Sequence, residues 1–456
     1  MEDHTAVWRW WQEGLEEFGP CFTEPGFRRF AEWVTGLVLD MEEHTVTQAL
    51  TGLGRERDWT ALERFVEYGR WERGAIERAT WRTIAETHPD LWHDYRVTAV
   101  DDTKIHRTSE NVWGVCTFHE PAARCPNRAE TVRAHNWVVI GALIPGTPWQ
   151  CLPVAGRLYF RATQVPAGER FVKRAGHAVA LLEDVAQTLQ TDVLGVVDGA
   201  YGVSTVVRPL VARPPEKPRV DVVTRLRGNA RLYEIPPARA AGQTGRPRTW
   251  GRRLPAPSDT AGWAEVPQQT GEAWVYGRRR KVAWQERRCL WYSGGPKQPV
   301  LVVVAQVEGY HHPWYLSTTS TRLTGRETIE AFGARFRQED MFRDLKQRLG
   351  AEECRAWTKE PILRTFQAEL LALTALRLMS ARLDRERGPL TWWSLPPWNR
   401  HKRTPTVRDV LRLLWRASGG FGQFAHQVTT FTKVGRHEEP KVLRHPPTAH
   451  KRRKAA

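Results

Sequence analysis

Four side chains in the C-terminal third, Phe332, Arg335, Glu339 and Lys346, have types and spacing suited to phosphate chemistry. On a helix of 3.6 residues per turn, this spacing places a carboxylate between two cations on about one face. Such a face can hold a metal ion against a phosphate group. The alternative interpretation is an exposed helix stabilised by ion pairs four residues apart, with Arg335 and Glu339 forming one of them.

The segment that carries these side chains is predicted to be one helix over 324–349. Thr324 and Glu327 have the spacing of a capping box, no proline interrupts the segment, and Gly350 is a stop signal. A second helix is predicted over 363–383. Its apolar residues are dense enough for burial against a sheet.

Further carboxylates follow two apolar runs that are typical of strands. The run 97–100 ends at Asp101 and Asp102, and the run 193–197 ends at Asp198. A carboxylate at the end of a buried strand is held rigidly. Each aspartate alone is equally typical of an ordinary turn that follows a strand. Together with Glu339, however, they form a candidate group for binding metal ions.

The glutamate motif resembles that of a known family. Its spacing, Phe332-x2-Arg335-x3-Glu339-x6-Lys346, is similar to the Tyr-Arg-Glu-Lys pattern of bacterial insertion-sequence transposases of the DDE class. Phenylalanine stands here in the position of the tyrosine. The resemblance implies a catalytic core of the ribonuclease H-like superfamily.

The aspartate motifs resemble the same family. The sequence Asp198-Gly-Ala-Tyr is similar to its second-aspartate motif, and Asp101-Asp-Thr is similar to its first. The order of the three acids and the long stretch between Asp198 and Glu339 also match the family, in which a mostly β insertion interrupts the core. The resemblance covers about residues 20–385.

This resemblance implies metal-dependent chemistry on DNA. Asp101, Asp198 and Glu339 would bind two divalent cations, Mg²⁺ or Mn²⁺, which neutralise charge on the attacking and leaving oxygens of a phosphodiester. Water would cut the first strand, and the 3′-hydroxyl so formed would attack target DNA. Asp102 is the alternative to Asp101, because neighbouring residues of a strand point to opposite faces of the sheet.

The resemblance also implies side chains that contact DNA. Arg335 and Lys346 would bind phosphates of the transposon ends. Trp314 occupies a place where related transposases carry a tryptophan near the active site, and it would stack on a flipped base, with core packing as the alternative. Phe332 lacks a hydroxyl and would make an apolar contact. Tyr201 completes the predicted DNA-binding set.

The expected fold is α/β, with a ribonuclease H-like mixed sheet that is flanked by helices and interrupted by a β-rich insertion. An all-helical domain precedes it and would bind the DNA ends, or else simply pack on the core. The regions are the N-terminal helical domain, the first part of the core, the insertion, the second part of the core, and a Pro-rich, basic C-terminal region: 1–92, 93–205, 206–320, 321–385 and 386–456.

Composition favours a nucleic-acid partner. The net charge is +17 and the pI is about 10.0, which attracts a polyanion. The resemblance to the transposase family further implies double-stranded DNA, both transposon ends and target, as the partner of a homodimer. The basic segment 434–456 is expected either to order only on DNA or to be a solvated tail without a partner.

Other features of the sequence bear on the compartment. The six cysteines are scattered, which is typical of a reducing environment, and no run of 18 apolar residues is present. The N-terminus has no basic segment of the kind that begins a secretory signal. We expect a bacterial cytoplasmic protein without a membrane span, associated with the nucleoid when bound to DNA.

Three functions remain open at this point. The first is a transposase that works by cut-and-paste transposition of an insertion sequence. The second is a metal-dependent ribonuclease H-like nuclease without strand transfer, and the third is a catalytically silent, transposase-derived DNA-binding protein. A zinc site formed by Cys116, His119, Cys125 and His135 is disfavoured, because the spacings fit no strong ligand pattern.

Overall fold

The computed structural model describes residues 4–40, 42–120, 131–237, 248–388, 391–393, 397–398 and 401–417. The basic segment 434–456 and the prediction made for it lie outside these residues. The helices are α1 (His4–Glu16), α2 (Glu24–Leu39), α3 (Gln48–Thr51), α4 (Trp59–Tyr68), α5 (Arg73–Thr87), α6 (Arg174–Leu189), α7 (Ser204–Val211), α8 (Gly325–Ala334), α9 (Phe336–Arg348), α10 (Lys359–Arg387) and α11 (Val407–Ala417).

The described residues also form twelve strands, two of which contain the predicted runs 97–100 and 193–197. They are β1 (Arg96–His106), β2 (Cys116–His119), β3 (Thr131–Ile144), β4 (Gln150–Tyr159), β5 (Val193–Val197), β6 (Val220–Arg225), β7 (Leu232–Tyr233), β8 (Arg253–Leu254), β9 (Gln269–Val275), β10 (Arg278–Trp291), β11 (Pro299–Val307) and β12 (Trp314–Thr318). The segment 193–197 is buried throughout, as expected for a central parallel strand.

All these strands belong to one mixed sheet. Its order is β2-β3-β1-β5-β6-β12-β11-β10-β7-β8, with β4 paired to β3 and β9 paired to β10. The strands β1, β5 and β6 are parallel, and their neighbours are antiparallel. The predicted mixed sheet with flanking helices and a helical N-terminal region is therefore confirmed. The strands of the predicted insertion do not form a separate sheet, because β6 and β12 join them to the core.

The two faces of the central sheet belong to different cores. Ala99 on β1 and Val196 on β5 lie in the core shared with α8, α9 and α10, which we call the α9 face. Their neighbours Val100 and Val197 lie in the core shared with α6 and α7, which we call the α6 face. Because side chains alternate along a strand, this pattern sets the face on which each neighbouring residue of β1 and β5 lies.

The segment with the glutamate motif is two helices rather than the single predicted one. Thr324 and Glu327 form the predicted capping box at the start of α8. The prediction of one continuous helix is wrong, because the helix is interrupted at Arg335, which lies between α8 and α9. Its backbone N–H binds the carbonyl of Phe332 at 3.2 Å, three residues back, instead of the residue four back.

The N-terminal helices pack on α10. Arg364 of α10 donates to the carbonyl of Val66 at 2.7 Å, and Gln367 donates to that of Arg73 at 2.8 Å. Apolar residues of α2 and α4 belong to the same core as α10. In the described part of the chain, no helix combines the length and the apolar character that crossing a membrane requires.

Candidate active site

Asp101 lies next to Asp198, which follows β5. The prediction that Asp101 and Asp102 end their strand is wrong, because β1 stays paired with β3 and continues to His106. Val100 of β1 pairs with Val197 of β5, so each aspartate stands one residue beyond that pair. Ala99 and Val196 point to the α9 face, and alternation places both aspartates on the same face. Adjacent strands lie about 4.8 Å apart. The two carboxylates therefore share one small region of the α9 face, where the parallel pairing of β1 with β5 ends.

Asp102 lies on the opposite face and has protein partners for both of its oxygens. The hydroxyl of Tyr201 donates to Oδ1 at 2.9 Å, and Arg174 of α6 donates to Oδ2 at 3.0 Å. The side chain of Tyr201 is buried. Burial and then the Asp102 carboxylate raise the pKa of Tyr201, so the phenol stays a hydrogen-bond donor.

Glu339 is carried by α9, which a neighbouring glutamine anchors to the sheet. Gln338 is fully buried, and its Nε2 donates to the carbonyls of Ala99 at 3.4 Å and Val139 at 2.9 Å. These bonds hold the first turn of α9 against β1 and β3. Glu339, the next residue, is exposed at the rim. Sequence reasoning missed the anchoring role of Gln338, whose only signal is a polar residue beside the motif glutamate.

Arg335 joins two of the three candidate carboxylates. Its Nη1 lies 2.8 Å from Oδ2 of Asp101, and its Nη2 lies 3.1 Å from Oε1 of Glu339. Burial raises the pKa of Asp101 to about 6, although Arg335 and the N–H of Asp102 act in the opposite direction. The nearby charges of Asp102 and Asp198 contribute to the rise. The carboxylates of Asp102 and Asp198 thus repel that of Asp101, and the Arg335 guanidinium offsets part of this repulsion.

The donor set suits a hard divalent cation, but the side chains do not form a ready coordination shell. Among the described residues, no three His, Cys, Asp or Glu side chains are grouped closely enough to hold a metal ion. The guanidinium of Arg335 fills the space between Asp101 and Glu339 as a stand-in cation. Carboxylate oxygens on one face fit Mg²⁺ or Mn²⁺. Loading the site therefore requires Arg335 to release at least one carboxylate.

Three residues of the predicted DNA-binding set are buried. Phe332 and Trp314 are 4% and 5% exposed, and their rings meet edge to face at 5.6 Å. The guanidinium of Arg335 lies 5.6 Å from the Phe332 ring. With Tyr201 also buried, none of the three presents a free ring to DNA. In this structure the three rings pack beside Arg335 or Asp102, and contact of any of them with DNA stays a prediction.

Lys346 lies on the next turns of α9 and has protein partners. Its Nζ donates to the carbonyl of Lys104 at 2.6 Å and lies 3.1 Å from Oε1 of Glu352. The lysine is therefore oriented along β1, beyond the aspartates. A quarter of its side chain remains exposed. Contact with a phosphate is compatible with this position.

The disfavoured zinc site gains no support. His135 is fully buried; its Nδ1 accepts from Arg107 at 3.2 Å, and its Nε2 lies 2.8 Å from the carbonyl of Trp113. Both ring nitrogens are therefore engaged. Cys125 lies outside the described residues.

Tyr276 is a residue near the site that sequence reasoning missed. Its ring packs on Phe336 at 4.8 Å and on Trp314 at 5.6 Å. Burial and then Tyr310 raise the pKa of its hydroxyl, with Arg335 and Arg225 opposing the rise and Glu339 adding to it. The hydroxyl is thus within electrostatic reach of the glutamate motif, although 63 residues separate Tyr276 from Glu339 in the sequence.

Comparison with known proteins adds one match to this geometry. The family model described as DDE superfamily endonuclease matches residues 17–294. That span includes Asp101 and Asp198 and ends before Glu339. No curated protein matches the chain.

Proposed function

We propose that this protein, which belongs to the DDE superfamily endonucleases, is a DNA transposase that performs cut-and-paste transposition of an insertion sequence. Family membership implies an enzyme with DNA as its substrate, and enzymes of this superfamily normally use divalent metal ions. As a transposase, the protein would also join the cut 3′ ends to target DNA. A homodimer would hold two transposon ends.

One observation carries the proposal. Asp101 of β1 and Asp198 after β5 each lie one residue beyond the last parallel pair of these two strands, on the face covered by α9, and Arg335 of the glutamate motif reaches from Glu339 to Asp101. Asp101 and Glu339, which are distant in the sequence, thus share one guanidinium partner close to Asp198, and this arrangement supports the proposed metal site. The opposite orientation of Asp102 supports Asp101 as the ligand.

The proposed roles follow from charge and position. Asp101, Asp198 and Glu339 would hold two divalent cations, which supply charge neutralisation at the reacting phosphate and activation of water. Gln338 keeps α9 fixed to the sheet while Glu339 reaches the substrate region. Arg335 would exchange its carboxylate partners for a DNA phosphate, to which a guanidinium can form two parallel hydrogen bonds. Lys346 would contribute a point charge farther along β1.

The reaction can be tested with DNA that carries the genomic sequences flanking the gene. Wild-type protein, Mg²⁺, labelled end fragments and a supercoiled target plasmid should yield nicked ends and then joined products. Cleavage without joining would favour the hydrolytic nuclease. Binding without cleavage would favour the catalytically silent protein. Glu339→Gln in the same assay shows whether cleavage comes from the candidate site or from a contaminating nuclease.

Replacing Arg335 should make the metal-binding site easier to load in the absence of DNA. A hydrogen bond to a charged group contributes about 1.5 to 3 kcal/mol, and about 1.4 kcal/mol corresponds to a factor of ten in affinity. Arg335→Gln removes a cation that competes for Asp101 and Glu339. We expect about tenfold tighter Mn²⁺ binding, measured by calorimetry at pH 8, where the Asp101 carboxyl is ionised.

Arg337→Gln is the matched control for this titration. Arg337 lies two residues farther on and pairs with Asp340 at 2.8 Å, away from the candidate carboxylates. Its replacement should leave Mn²⁺ affinity at the wild-type value. Equal Mn²⁺ affinity in Arg335→Gln and wild type would show that the guanidinium does not compete with the metal.

A further inference from the structure

Tyr276 occupies the tip of a tight hairpin between β9 and β10. Val275 pairs with Arg278, so Tyr276 and Gly277 alone form the turn. Their φ angles are 50° and 75°, the left-handed region that a two-residue turn of type I′ requires at both positions. Asparagine or aspartate is the usual residue before the glycine of such a turn. A tyrosine there is held against its backbone preference, a feature that is concentrated at functional sites.

The hairpin is firmly attached to the helices that carry the glutamate motif. The N–H of Trp274 binds Oε1 of Glu330 on α8 at 3.3 Å. Gly333 of α8 approaches the backbone so closely that a Cβ there would lie 3.2 Å from the Cα of Val275. A Cβ on Gly277 would collide with the guanidinium of Arg337. The position of the Tyr276 ring is therefore set by packing on both sides of the turn.

The Tyr276 hydroxyl has no hydrogen-bond partner in the part of the chain that the structure describes. Its ring is half-buried against Phe336, Trp314 and Tyr310. Arg225, at the carboxyl end of β6, is exposed and has no acidic partner among the described residues. Alternation along β6 places Arg225 on the same face as Val223, which is the α9 face.

We propose that Tyr276 and Arg225 form a phosphate-binding subsite beside Glu339, in which the Tyr276 hydroxyl donates a hydrogen bond to a backbone phosphate of the bound DNA strand. Arg225 pairs with Leu316 of β12, and Trp314, two residues from Leu316 on the same face, packs on the Tyr276 ring. An uncharged donor and a guanidinium without an acidic partner among the described residues are thus close in the fold, and together they match an anionic oxygen. The strand register brings Arg225 next to Asp198, because Thr224 pairs with Val197. The subsite therefore adjoins the candidate carboxylates. This inference rests on the proposed action on DNA.

Tyr276→Phe tests the hydroxyl while keeping the ring. With saturating DNA and Mg²⁺, cleavage should be about tenfold slower than in wild type, the loss expected for one hydrogen bond to a charged group. The midpoint of thermal unfolding should not change, because the hydroxyl has no described protein partner. The control is Tyr310→Phe, which alters a neighbouring ring of the same cluster and should cleave at the wild-type rate.

A DNA probe identifies the contacted group. Neutral methylphosphonate linkages are placed one at a time along the strand around the cleavage position. At one linkage, the substitution should slow wild-type cleavage about tenfold and slow Tyr276→Phe cleavage no further. Arg225→Gln should weaken binding of unmodified DNA, with a smaller effect of salt on the affinity.

Several outcomes would overturn the subsite. The first is a wild-type cleavage rate in Tyr276→Phe, and the second is an unfolding midpoint of this variant low enough to account for its loss of activity. The third is that the losses from Tyr276→Phe and from the methylphosphonate add at every linkage. If the methylphosphonate and Tyr276→Phe losses are additive, and the loss in Tyr276→Phe depends on which base is present, the Tyr276 ring stacks on a base instead. If wild-type protein cleaves no DNA at all, the proposed function fails instead, and that result is read from the wild-type reaction alone.

Discussion

Glu339→Gln is expected to reduce DNA cleavage by on the order of 10³-fold while leaving DNA affinity within a few-fold of wild type. Neutralising charge on a reacting phosphate is worth several kcal/mol, and each 1.4 kcal/mol is about tenfold in rate. The glutamine keeps the size of the side chain and removes the charge. Because nearly half of the Glu339 side chain is exposed, its ion pair with Arg335 contributes little to stability.

The measurement is single-turnover cleavage of labelled DNA with Mg²⁺, together with a binding titration. Asp340→Asn provides the control, since Asp340 follows Glu339 and pairs with Arg337 and Arg343 on the surface of the same helix. It should cleave nearly as fast as wild type. Comparable rates for Glu339→Gln and wild type would remove Glu339 from the reaction and, with it, the assignment of the glutamate motif.

The pair Asp101→Asn and Asp102→Asn should separate activity from stability. Asp101→Asn should lose cleavage on the scale of Glu339→Gln, because a metal ligand on the α9 face becomes neutral. Its free energy of unfolding should change little, since burial already disfavours the ionised form of Asp101, whose pKa is raised to about 6. Asp102→Asn should retain most of the activity.

Asp102→Asn should instead lower the free energy of unfolding by about 1 kcal/mol. It removes the negative partner of Arg174 and weakens the acceptor for the Tyr201 hydroxyl. Chemical denaturation and the same cleavage assay measure the two effects. Loss of cleavage in Asp102→Asn with full activity in Asp101→Asn would reverse the assignment and place the reacting phosphate on the α6 face.

The fold was largely accessible from the sequence, because its signals are local. Runs rich in valine marked β1 and β5, and the capping box marked the start of α8. Where prediction failed, non-local contacts were responsible. The predicted helix over 324–349 breaks at Arg335, whose side chain binds Asp101 across more than 200 residues. The strands of the predicted insertion extend the core sheet through the pairing of β6 with β12, which cannot be seen in either strand alone.

For the site, the sequence by itself determined the chemical types and the order of the acids. Phenylalanine, arginine, glutamate and lysine at fixed spacing, and two aspartates after apolar runs, were sufficient to suggest a phosphate-handling site. The tertiary structure decided which side chains face one another. Strand register brought Asp101 beside Asp198 and turned Asp102 away, and a hairpin tip carried Tyr276 to the same face of the sheet. These outcomes depend on pairing and packing between segments far apart in the chain, so no local pattern encodes them.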